Sequence, residues 1–179
     1  TASTDVAAVL AGASQVYISV PSQSLRSNLE DWGNQLPQGA IIVSLMKGVE
    51  QESGLRMSEV IQQVAGIDPQ RIAVVSGPNL SLEIAAEEPT ASVASSVNEA
   101  TRTAVAEAAS NDHFTTFTND DVVGTEFGGI LKNLIAVAIG IVNGVGYGQN
   151  TKASIMTRGL AELTRFAVAY GAEEKTMVG

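Results

Sequence analysis

The sequence predicts a parallel α/β domain that gives way to a helical one, and three observations carry that reading. Short β-rich runs alternate with amphipathic helical stretches from Asp5 to about Ser95. Each of the first runs ends in turn residues, as strands of a parallel sheet do. Beyond Asn119 the alternation stops, and two long apolar helical patterns follow.

In chain order, Val16 to Val20 is the first strand. Pro21 and Ser22 then open a helix running to Leu36. Ala40 to Leu45 is the second strand. Gly54 to Ala65 follows as a helix, because Leu55, Val60, Ile61 and Val64 recur at helical spacing. Ile72 to Val75 and Thr90 to Ser95 are further strands. Ser96-Val97-Asn98-Glu99 has the spacing of a capping box and opens a helix through about Ser110, after which Phe114 to Thr118 reads as a strand. Residues 1–118 therefore form the α/β part and 119–179 the beginning of a helical part. The helices run from about Asp121 to Asn143 and from Lys152 to Tyr170, joined by the flexible Gly144-Val145-Gly146-Tyr147-Gly148.

Composition narrows the function. At 179 residues with 45% hydrophobic residues, the chain has enough apolar mass for a real core. A net charge of −9 without a basic cluster argues against nucleic acid or an anionic membrane as partner. The longest uncharged apolar run, Leu134 to Val142, is too short to span a bilayer, so neither a transmembrane helix nor stable membrane insertion is expected. The absence of cysteine, with His113 as the one histidine, excludes disulfides and a His/Cys metal site and suits a reducing cytoplasm. No metal is expected. Both ends read as cut rather than natural.

Candidate chemistry gathers at the predicted strand ends and on one helix. Lys132 lies in an apolar helix, sharing a face with Gly128, Gly129, Ala136, Gly140 and Asn143. Small neighbours leave room for a pocket, and desolvation would lower the amine's pKa for proton transfer. Taken alone, a lysine snorkelling to solvent explains this position better; the rest of the chain reverses that preference. Ligands of open α/β sheets sit beyond the carboxyl ends of strands. Val20-Pro21-Ser22-Gln23-Ser24, Ser44 to Gly48 and Ser76 to Ser81 are three such segments. The first offers hydroxyls at a helix start, for which capping by Ser22 is an equally good account. The second carries Lys47, alone best read as an exposed loop residue. The third resembles an anion nest, with helix capping by Asn79 as the alternative. Gly144 to Gly148 has the wrong spacing for a dinucleotide fingerprint and follows a helix. Asp120 and Asp121 read as helix N-terminal partners, and His113 has no catalytic role.

Six motifs in order make a more specific pattern: Val20 to Ser24, Ser44 to Glu50, Ser76 to Asn79, Thr118 to Glu126, Gly129 to Asn133 and Gly148 to Lys152. Together they resemble NAD(P)-dependent glycerol-3-phosphate dehydrogenase of the bacterial type, across essentially the whole chain. The resemblance implies a Rossmann-type parallel sheet followed by a mainly α-helical substrate domain, both incomplete. It implies hydride transfer between NAD(P)H and dihydroxyacetone phosphate, giving sn-glycerol 3-phosphate for phospholipid synthesis. Lys132 then matches the catalytic lysine that exchanges a proton with the C2 oxygen, and Lys47 a second lysine touching substrate and cofactor. Asn133 would support Lys132. Gly77 and Asn79 match substrate-loop positions, while Pro21, Ser22 and Ser81 fall at cofactor contacts. Many bacterial relatives carry Ser or Thr in place of Asn79, and commonly Ala in place of Ser81.

The family's Gly-rich dinucleotide loop would precede Thr1, and its later aspartate and Arg-Asn phosphate segment would follow Gly179. The isolated segment is therefore expected to bind cofactor weakly and to lack useful catalysis. A homodimer is compatible with the sequence. Two alternatives remain: another Rossmann-plus-helical dehydrogenase, acting on a β-hydroxy acid or ketopantoate, and a non-catalytic binding module. NAD against NADP is undecided.

Overall fold

A computed structural model describes residues 2–178, which divide into two compact units, one through Val122 and one from Val123. In the first unit, α1 (Val6–Leu10), capped by the Asp5 side chain, leads into β1 (Gln15–Ile18). A 3-10 turn over Ser22–Ser24 then runs into α2 (Leu25–Trp32), and a second turn, Gly33–Gln35, precedes β2 (Ile41–Ser44). The single helix expected from Ser22 to Leu36 is thus three pieces. Next come α3 (Met57–Ala65), β3 (Ile72–Ser76), α4 (Ser81–Ala85), β4 (Thr90–Ser95), α5 (Glu99–Ala109) and β5 (Phe114–Asn119). Gly66 ends α3 at φ +64, a left-handed cap that suits a residue without Cβ.

The strands lie in the order β1-β2-β3-β4-β5. β1, β2 and β3 are parallel, in a register that pairs Val16 with Ile42 and Ile42 with Ile72. β4, however, runs antiparallel to β3, with Val74 opposite Ser95, and β5 is parallel to β4. The sheet is therefore mixed, a correction to the all-parallel expectation. The reason lies in α4, which buries none of its residues and so does not cross over a face of the sheet. The chain turns back at the carboxyl end of β3, and the next strand must run the other way.

Both faces of the sheet centre are covered, and side chains alternate accordingly. On one side Ile18, Ile42 and Ile72 pack with Leu25 and Leu29 of α2 and Met57, Val60 and Ile61 of α3. On the other, Val43, Ala73, Val75 and Ala94 meet Val105 and Ala106 of α5. The cap of α5 is Asn98, whose side chain accepts from the Ala100 and Thr101 amides. Ser96, expected in that role, instead donates its hydroxyl to the Ile72 carbonyl at 2.7 Å, because a buried hydroxyl needs a partner and β3 supplies one.

The second unit is built on α6 (Val122–Val145), α7 (Gln149–Ala169) and α8 (Glu174–Val178). α6 and α7 form an antiparallel hairpin. Phe127 near the start of α6 sets its ring 5.5 Å from Phe166 and 5.4 Å from Tyr170, near the end of α7. Further along, Ile135 lies against Gly159, 2.9 Å from where a Cβ would stand. The reversal uses Gly146 at φ +85. By length and composition alone α6 is apolar enough to cross a membrane, a test that core helices also pass. It nevertheless carries Glu126, buried within the protein, and Lys132.

Candidate active site

The three predicted segments meet at one end of the sheet, beyond the carboxyl ends of β1, β2 and β3, because parallel neighbours end together. After β1 the chain passes Pro21, which is exposed, into the 3-10 turn containing half-buried Ser22. Ser22 does not cap this turn; the Ser24 hydroxyl donates instead to the Pro21 carbonyl at 2.9 Å. After β2, Lys47 is half-buried and donates from Nζ to the Gly77 carbonyl at 2.8 Å, tying the β2 loop to the β3 loop. That bond replaces the plain exposed loop lysine of the simpler reading.

Two glycines allow this closeness. A Cβ on Gly48 would stand 2.5 Å from Ser22 Oγ and 2.6 Å from Ser22 Cβ, so the first two loops touch without room for a side chain. A Cβ on Gly77 would stand 2.9 Å from the Ala91 carbonyl oxygen and the Ser92 Cα, both backbone atoms. Asn79 is exposed and does not cap α4, whose N-cap is Leu80. Ser81 opens that short helix and is also exposed.

Sequence reasoning did not single out the network behind Lys47. Glu50 is 7% exposed and receives Arg26 Nε at 2.9 Å and Nη2 at 2.8 Å, with the Ser53 hydroxyl as a further donor. The Arg26 hydrogen bonds, then that from Ser53, hold the Glu50 carboxyl below the ordinary carboxylate range against the opposing effect of burial. The usable signal was an acid three residues after the lysine in an otherwise apolar stretch. His113 pairs with Glu87 at 3.6 Å beside a cavity of about 530 Å³ and stands outside this arrangement.

On α6, Lys132 and Asn133 are exposed, which corrects the expectation of a desolvated amine. Past Leu131 the covered side of α6 is that of Ile135, Ala138, Ile139 and Val142. Lys132, Ala136, Gly140 and Asn143 fall outside it. Gly129 on the predicted face is buried and Gly128 half-buried.

The donor set suits a nicotinamide dinucleotide: a hydroxyl at Ser22 and an ammonium at Lys47 stand at the carboxyl ends of parallel strands, where such ligands bind. The described residues contain no Gly-rich strand-turn-helix for a pyrophosphate. Among them no cluster of three metal-ligating side chains occurs.

A strand-end site on a doubly covered sheet, with a helical unit following in the chain, is the plan of two-part nicotinamide-dependent dehydrogenases. Family models narrow the class. The NAD-dependent glycerol-3-phosphate dehydrogenase N-terminus matches residues 1–102, and the C-terminus of the same family matches residues 121–179. The chain belongs to this family. It is 66% identical over 168 residues to a glycerol-3-phosphate dehydrogenase [NAD(P)+] of Leifsonia xyli, covering 94% of this chain and 46% of that protein. It is 53% identical over 178 residues to one from Frankia casuarinae, covering 99% and 53%. A crystal structure of glycerol-3-phosphate dehydrogenase from Coxiella burnetii superposes with a TM-score of 0.90 at 32% identity, covering 98% of this chain and 53% of that one. The chain thus spans about half the length of the curated relatives it matches.

Proposed function

We infer that this chain is the part of an NAD(P)-dependent glycerol-3-phosphate dehydrogenase that presents the reacting lysines, interconverting dihydroxyacetone phosphate and sn-glycerol 3-phosphate. The observation that carries the reading is Lys47 held on the Gly77 carbonyl at the strand ends, in a chain of this family. Residues 1–118 are assigned to the nucleotide-binding domain and 119–179 to the substrate domain.

Pro21, Ser22, Lys47 and Ser81 would hold the cofactor, NAD or NADP. When bound, it supplies or accepts the hydride. Lys47, with Gly77 and Asn79, binds the phosphorylated ketone, its positive charge drawing electron density from the carbonyl. Lys132 exchanges the proton at the C2 oxygen, and Asn133 orients it. Because Lys132 is exposed here, the drier surroundings its role demands would come with the bound substrate and cofactor. A water-soluble substrate and cofactor suit an enzyme of the cytoplasm. Buried Glu126 favours α6 as a protein core helix over a membrane span.

The test follows NADH and NADPH oxidation at 340 nm with dihydroxyacetone phosphate in a full-length protein carrying this sequence, in its Lys132→Ala variant and in the 179-residue chain. Rapid oxidation that the variant loses while remaining folded is the expected result. A folded full-length protein that oxidises neither cofactor refutes the assignment, as does full activity in Lys132→Ala. Full activity in the 179-residue chain refutes its expected dependence on further residues.

A further inference from the structure

The loop that carries Lys47 is fastened from the side opposite its bond to Gly77, and one side chain there binds the loop backbone twice. Gln23 donates from Nε2 to the Val49 carbonyl at 2.8 Å, and its Oε1 accepts from the Gln51 amide at 3.0 Å. One carboxamide thus satisfies a backbone acceptor and a backbone donor two residues apart, as a neighbouring strand would. On either side of it, Ser22 is packed against Gly48 and Arg26 is paired with Glu50.

The 3-10 turn and the first turn of α2 therefore grip residues 48–51 through Ser22, Gln23 and Arg26. Of the three grips, only that of Gln23 acts directly on the loop backbone on both sides of Glu50. Lys47 directly precedes the gripped residues, and its ammonium reaches across to the β3 loop. The Glu50 amide also donates to the Leu55 carbonyl at 2.9 Å, so the loop keeps its own turn, and what Gln23 adds is its seat against Ser22–Ser24; a loop shifted off that seat would carry the Lys47 backbone with it and lengthen the Nζ to Gly77 bond.

We propose that Gln23 is a positioning residue for Lys47, holding the β2 loop to the 3-10 turn that follows β1 so that the ammonium stays at the strand ends. The inference rests on the dehydrogenase reading for what Lys47 does, and on the hydrogen bonds alone for how it is held. Gln23 itself is exposed, so its replacement leaves the core intact.

The test has two arms. In the 179-residue chain, amide hydrogen exchange at Gln51 is measured for the unsubstituted protein, for Gln23→Ala and for Gln23→Glu, which keeps an acceptor for Gln51 but loses the donor to Val49. Two lost hydrogen bonds predict roughly tenfold faster exchange at Gln51 in Gln23→Ala, with a smaller change in Gln23→Glu. In the full-length protein, dihydroxyacetone phosphate turnover is compared among the single variants Gln23→Ala and Lys47→Ala and their double. A residue acting through Lys47 lowers kcat/KM in the Lys47 background and has no further effect once Lys47 is gone; a residue that merely supports the fold lowers both alike. Unchanged exchange at Gln51, unchanged turnover in Gln23→Ala, or additive losses in the double variant each overturn the proposal. Absence of turnover in the unsubstituted full-length protein instead overturns the dehydrogenase reading, and exchange at Gln51 still decides whether the grip exists.

Discussion

Replacing Gly48 by alanine tests the closeness of the two loops directly. The added methyl would stand 2.5 Å from Ser22 Oγ and 2.6 Å from Ser22 Cβ, where non-bonded carbon atoms prefer about 3.5–4.0 Å. A gap of this size cannot be absorbed by rotating the Ser22 side chain, because its Cβ is itself too near. Either the 3-10 turn at Ser22–Ser24 or the Lys47 loop must move by about an ångström. Overpacking of this kind costs about 1–3 kcal/mol. For a unit of this size that is roughly 3–15 °C in the unfolding midpoint. Trp32, the chain's one tryptophan, sits at the end of α2 in the same unit, so its fluorescence follows the unfolding that matters. Ser22→Gly removes both obstructing atoms and should restore most of the loss in the double variant, a coupling read from the four-member cycle. An unchanged midpoint in Gly48→Ala, or a double variant as unstable as the simple sum, would refute the reasoning.

Other consequences follow from the same contacts. Gly77→Ala meets the β4 backbone rather than a side chain, so it should destabilise more than Gly48→Ala, again by Trp32 fluorescence. Leu25→Ala empties a fully buried position between α2 and the sheet and should cost about 2–5 kcal/mol in denaturant unfolding. Glu50 has a lowered pKa in the folded chain, so its stabilisation is complete above its ordinary value of 4.5 and is lost as pH falls through the lower folded value. Thermal midpoints measured down through this acid range should therefore drop more steeply in the unsubstituted chain than in Glu50→Gln.

By itself the sequence determined what depends on neighbours along the chain. The five strands follow from β-rich runs bounded by turn residues, and β4 falls on Thr90–Ser95 as its pattern says. The long helices follow from apolar periodicity, and six ordered motifs pointed to the family that the matching models establish. The tertiary structure decided what depends on distant partners. The direction of β4 was not legible, because a short helix reads the same whether it crosses the sheet or turns at its end. The cap of α5 lay at Asn98 because β3 claimed Ser96, a contact between residues far apart in sequence. Lys132 looked buried because its helix is apolar, yet exposure depends on which faces are covered, and from Lys132 onward the covered side is that of Ile135, Ile139 and Val142. The grip on the Lys47 loop joins residues 26 and 28 positions apart, and the bond from Lys47 spans 30. No periodicity in a single strand or helix records such pairs, because they arise only when parallel strand ends bring their loops together.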